Sequence, residues 1–135
     1  MHTATARYAG HLRTEATHTA SGNTILTDAP VDNHGRGEAF SPTDLVSAAL
    51  GSCMMTIMGI VAERLALDLT GVTYNVVKHM AADPRRIRQI DVQFQLPAKL
   101  SAKERTVLEN AARTCPVALS LNPEIRQEVQ FEYAG

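Results

Sequence analysis

The sequence predicts an α+β domain, with strands and helices in the order β-β-β-α-β-β-α-β. Three observations predict it. A nearly uncharged stretch, "LVSAALGSCMMTIMGIVAERL" (45–65), follows a helix-start signal in "SPTD" (41–44). Two segments, 87–96 and 125–133, alternate between apolar and polar residues as half-buried strands do. Between those strands a second capping box, "SAKE" (101–104), opens another helix. Strand pairs joined by short turns suggest antiparallel sheets packed on two central helices, not a doubly wound α/β fold.

Taken in order, residues 3–9 and 11–19 are Thr-rich, loosely alternating strands. "ASGN" (20–23) is a turn and "TILTD" (24–28) a third short strand. "APVDNHGRGEAF" (29–40) has no period and several turn formers, so it is a loop. Ser41 is a suitable N-cap, Pro42 fits the first helical position, and Asp44 completes a box with Ser41. The helix should run to about Leu67, with "TG" at 70–71 stopping it. "VTYNVVKHM" (72–80) follows as a strand and "ADPRR" as a turn. In the next strand Ile90, Val92, Phe94 and Leu96 face one side while Asp91, Gln93 and Gln95 face the other. The second helix should reach Thr114. Pro116 disfavours helix at Cys115, which places that cysteine at the helix end. The last strand turns Ile125, Val129, Phe131 and Tyr133 inward and Arg126, Glu128, Gln130 and Glu132 outward.

Composition narrows the function. The chain has 135 residues, an ordinary length for one domain over 1–135, with 44% hydrophobic and 20% charged residues. A net charge of −1 and 4% aromatics argue against a nucleic-acid surface, which needs clustered cations and stacking rings. "MHTATARYAG" has no apolar core of a secretory signal, and two cysteines make no disulfide scaffold, so a cytoplasmic location is expected. Residues 45–62 carry no charge and reach the lower edge of a membrane span. Ser47, Gly51, Ser52, Thr56 and Gly59 interrupt that run, which favours a core helix. A helix apolar on every side must be covered completely, so a partner subunit is expected.

Cys53 lies inside this apolar run. On a helix it shares a stripe with Ala49, Leu50, Ile57 and Ile60, and burial there would raise its pKa and silence it. Cys115 at a helix terminus should expose its sulfur to whatever packs against that end, and a core thiol beside a second thiol could form a redox pair. There is no CxxC, and the five histidines (2, 11, 18, 34 and 79) show no ligand spacing, so neither a metal nor another cofactor is implied. A thiolate in apolar surroundings needs a cation, for which Arg36 and Arg13 are the alternatives. Each taken alone is more often a surface charge. Met54, Met55 and Met58 serve core packing first, although methionine-lined cavities also adapt to varied ligands.

Three pieces, "SPTDLVSAALGSC" (41–53), "DPRRI" (83–87) and "CPVALSL" (115–121), together with the element order, resemble the OsmC/Ohr family, osmotically inducible protein C and organic hydroperoxide resistance protein, in its OsmC-like branch. The resemblance implies an OsmC-like fold in an intertwined homodimer. It implies a thiol-dependent peroxidase of organic hydroperoxides, with hydrogen peroxide left as an open candidate. Cys53 would be the peroxidatic cysteine and Cys115 the resolving one, recycled by a dihydrolipoyl protein or a small thiol. One departure stands out: the family's better-known peroxidases carry a glutamate ten positions before the peroxidatic cysteine. Here that position is Thr43, and the acid is Asp44, which has a simpler role capping Ser41. This departure keeps a second class open, a small-molecule-binding or redox-sensing protein with little turnover.

Overall fold

The computed structural model describes all 135 residues. The elements are β1 (Ala4–Gly10), β2 (Arg13–His18), β3 (Thr24–Asp28), α1 (Pro42–Arg64), β4 (Thr73–Ala81), β5 (Arg86–Leu96), α2 (Ala102–Arg113), α3 (Pro116–Ser120) and β6 (Arg126–Tyr133), with one 3-10 turn at Val31–Asn33. They fall into two compact units, Met1–Val46 and Ser47–Gly135.

The first unit is an antiparallel sheet in the order β1-β2-β3. His11 and Leu12, at φ 55° and 63°, form the two-residue turn between β1 and β2. Positive φ at both central residues matches the twist of a tight hairpin. In the β2–β3 hairpin Arg13 pairs with Asp28 and Thr17 with Thr24. The loop that follows doubles back on Ala29: a Cβ at position 35 would stand 1.7 Å from the Ala29 carbonyl oxygen, so Gly35 is required there. At the start of α1 the Asp44 N–H donates to Ser41 Oγ at 3.1 Å, and the Ser41 N–H donates to Asp44 Oδ2 at 3.0 Å. That reciprocal pair satisfies donors a helix start leaves open.

The second unit holds most of α1 and a sheet in the order β4-β5-β6. Here the all-antiparallel expectation is corrected. β4 and β5 are antiparallel, but β5 and β6 run parallel, from Gln89↔Arg126 to Leu96↔Tyr133. The cause is the connection: α2 and α3 form a long crossover, and a crossover returns the chain in the same direction. In β5 the register slips, with His79 opposite Gln89 and Met80 opposite Ile87, so Arg88 is left over. This bulge lets Ile87 join Ile90, Val92, Phe94 and Leu96 on the buried face. The Phe94 ring lies 5.5 Å from both Tyr74 and Phe131. Burying each large apolar side chain of this face contributes about 1.5–3 kcal/mol. The Ser101–Glu104 capping box closes the start of α2 with bonds of 2.8 and 3.1 Å.

Helix α1 differs from expectation in two ways. It ends at Arg64, short of Leu67, because Ala66 turns left-handed at φ 57°. The Leu67 N–H then reaches the Ala62 carbonyl at 2.8 Å and the Ala66 N–H that of Glu63 at 3.1 Å. Those two bonds make a Schellman close, with alanine where glycine is usual. The buried stripe is also rotated: Ser47, Leu50, Gly51, Met54, Met58 and Ala62 are covered, whereas Ala49 and Ile60 are exposed and Cys53 is half-buried. The helix packs closest where Gly51 has no side chain, and that choice turns Cys53 off the centre of the buried side. By length and mean hydropathy (2.0 over its most apolar window) α1 could cross a membrane, and one third (33%) of that window is buried.

Candidate functional site

The chemistry divides between two clusters, one in each unit. In the second unit α2 stops at Arg113, and Pro116 opens α3 at its first position, leaving Cys115 as the N-cap of α3. Its sulfur accepts the Ala118 N–H at 3.4 Å. Cys115 is 0% exposed, while Cys53 is half-buried, and both are free thiols.

Burial pushes the Cys115 thiol above its ordinary range, the Ala118 N–H opposes that rise, and a side-chain hydrogen bond with Cys53 adds to it. The two cysteines singled out in the sequence, sixty-two positions apart, are therefore neighbours. They are also unequal: Cys53 is half-buried, while Cys115 is fully buried and its burial favours the protonated form. An accessible thiol beside a protonated one can react outward and then be captured inward.

In the first unit the Arg13 guanidinium binds both oxygens of Asp28, Nε to Oδ1 and Nη2 to Oδ2, each at 2.8 Å. Nη2 also reaches Glu38 at 3.3 Å, and the Glu38 N–H donates to Asp28 at 3.2 Å. The Asp28 side chain is 0% exposed and that of Arg13 23%. The Arg13 hydrogen bonds hold the Asp28 carboxyl below the usual carboxylate range despite its burial, with a smaller contribution from Arg36. Arg36 itself lies exposed in the glycine-flanked loop. Asp44 is engaged in the cap of α1, and Thr43 shares a hydroxyl hydrogen bond with Ser41 at 3.2 Å.

Asp28 and Glu38 were missed as partners of Arg13. The signal was available for Asp28: counting outward from the turn between "RTEATH" and "TILTD" sets position 13 opposite 28. Nothing local marks Glu38, which arrives through the fold-back of the loop. Among groups of His, Cys, Asp and Glu, none is arranged to hold a metal ion.

The fold is α+β, and its second unit holds two free thiols of unequal burial. The family model for OsmC-like protein matches residues 35–130, and the chain belongs to the OsmC family. A Psychrobacter arcticus 273-4 structure, named for an osmotic-stress-induced and detoxification response, is 48% identical over 98% of this chain and 96% of its own, with a TM-score of 0.95. A Legionella pneumophila structure named as an organic hydroperoxide resistance protein OsmC shares the fold at TM-score 0.75, with 18% identity over 98% of both chains. An organic hydroperoxide resistance protein from Elizabethkingia anophelis shares it at TM-score 0.76, with 13% identity over 99% of this chain and 98% of its own. No curated protein sequence matches the chain.

Proposed function

We propose that this protein is a thiol-dependent peroxidase that reduces organic hydroperoxides to alcohols. The observation that carries the reading is the unequal pair itself, a half-buried Cys53 beside a fully buried Cys115. The Cys53 thiolate attacks the distal peroxide oxygen and the O–O bond breaks. The departing alkoxide takes a proton, and Cys53 becomes a sulfenic acid. The Cys115 sulfur then attacks the Cys53 sulfur, the hydroxyl leaves as water, and a disulfide forms. An external dithiol, a dihydrolipoyl protein or small thiol of the cytoplasm, restores both thiols and is itself oxidised. The raised pKa of Cys115 suits this order, because its proton stays in place until Cys53 has reacted.

A second copy of the chain belongs to the same proposal, since only 33% of the most apolar window of α1 is buried and the rest calls for cover. The sequence leaves Arg13 and Arg36 as alternatives for the cation that would favour the Cys53 thiolate. Substituting each by methionine identifies it as the one whose loss slows the reaction.

Mixing reduced protein with an alkyl hydroperoxide and dihydrolipoamide tests the reading. Turnover is expected, lost in Cys53→Ser and limited to one equivalent of peroxide in Cys115→Ser. Absence of turnover, or turnover untouched in Cys53→Ser, rejects it. The capping role of Asp44, at the place where an acid partner would be sought, favours one alternative: a sensor or small-molecule-binding protein. Stoichiometric oxidation of Cys53 without recycling would mark that alternative.

A further inference from the structure

A Cβ added at Gly51 would stand 2.9 and 3.0 Å from ring atoms of Tyr74 and 3.0 Å from Val76 Cγ1, all on β4. The first is closer than a Cβ normally comes and the other two are tighter than most, so with any side chain at position 51 the Tyr74 ring and Val76 would have to give way for α1 to keep its seat on β4. Gly59, one helical face away, would meet nothing within 4 Å. The two helix glycines therefore differ: one is a contact and the other is not.

Gly51 stands two residues before Cys53. At 3.6 residues per turn the two lie about 200° apart around the helix. Any bulk that lifts α1 off β4 at Gly51 therefore drives Cys53 outward almost along its own side-chain direction. A disulfide tolerates little of this, because Cα atoms must lie within roughly 4.4–6.8 Å and departures store strain.

We propose that Gly51 is the positioning residue of the two-thiol site: its missing side chain, seated against Tyr74 and Val76, sets the distance at which Cys53 meets Cys115. The proposal rests on the reading of Cys53 and Cys115 as a pair that closes to a disulfide. It adds a determinant that neither thiol reveals. The glycine is tolerated inside a helix, where it costs about 1 kcal/mol relative to alanine, because the close approach cannot be made otherwise.

The test is the equilibrium of the full-length protein with a glutathione buffer. Two protein thiols and one glutathione disulfide exchange for one protein disulfide and two glutathiones, read by thiol alkylation and mass. Gly51→Ala is expected to lower the exchange constant by at least about tenfold through strained closure. Gly59→Ala, a better helix former without a contact, is expected to leave it within about twofold. Combining Gly51→Ala with Tyr74→Leu and Val76→Ala reopens the space and is expected to restore most of the constant.

Should Gly51→Ala not fold, Tyr74→Leu with Val76→Ala in the glycine background gives the same information. Loosening the seat lowers the constant if the contact sets the distance, and leaves it unchanged if it does not. An unchanged constant in Gly51→Ala, an equal fall in Gly59→Ala, or no restoration in the triple variant overturns the inference. A wild-type protein that forms no Cys53–Cys115 disulfide defeats the two-thiol reading instead. Because no peroxide is used, the outcome is independent of peroxidase activity.

Discussion

The two units are held together by different physics. Every buried hydrophobic residue lies at Leu50 or beyond, and the buried residues of the first unit are Thr27, Asp28 and Ser41, all polar. The first unit instead exposes Tyr8, Leu12, Ile25, Leu26, Val31 and Phe40. Its internal order rests on sheet pairing and on one carboxylate gripped from two sides. The second unit rests on a packed apolar face with thiols at its margin. Packing is indifferent to pH and intolerant of lost volume, whereas an ion pair is the reverse. The difference assigns each unit its own mode of failure.

The sharpest way to break the comparison is Phe94→Ala, which empties the centre of the second unit's core. A loss of about 3–5 kcal/mol is expected in denaturant unfolding; a loss under 1 kcal/mol would mean that this face is not the core. Next comes Asp28→Asn, which leaves Arg13 with half its grip. Faster hydrogen exchange is expected at the Glu38 amide, with the amides of β5 unchanged. Equal loosening in both units would erase the distinction.

Acid should separate the units without mutation. The folded Asp28 pKa lies below its unfolded value, so its stabilisation is complete above the ordinary carboxylate pKa of about 3.9. It is lost as pH falls toward the lower, folded pKa. Exchange at the Glu38 amide should therefore rise below about pH 4 in wild type, and Asp28→Asn should abolish that dependence.

Two smaller effects bear on the second unit alone. Ser101→Ala removes the α2 cap and should cost about 1 kcal/mol. Ala66→Gly relieves a left-handed alanine and should stabilise by up to about 1 kcal/mol in thermal unfolding.

Much of this was legible in the residues, and the failures share a cause. Both capping boxes, the "TILTD" strand and the inward face of β5 follow from local chemistry, which a single sequence carries in full. The parallel β6 was not legible, because strand direction depends on how a crossover returns and not on the strand's own pattern. The early stop of α1 turned on an alanine adopting a glycine's conformation. The rotated stripe turned on Gly51, since hydrophobicity marks what prefers burial but not where an absent side chain permits the closest approach. The two cysteines were legible as candidates from their settings. Their inequality was not, because burial at a helix end depends on what the fold packs around it and not on the local pattern.

The fold-back at Gly35 matters to anyone who would redesign this molecule. With a carbonyl oxygen 1.7 Å from where a methyl group would go, position 35 is closed to all nineteen alternatives. Its neighbour Arg36 is exposed, and the backbone sets no comparable limit on the side chain there. A combinatorial library that randomises 36 and 38 while freezing 35 would sample the charge of this segment without spending members on chains that cannot close it.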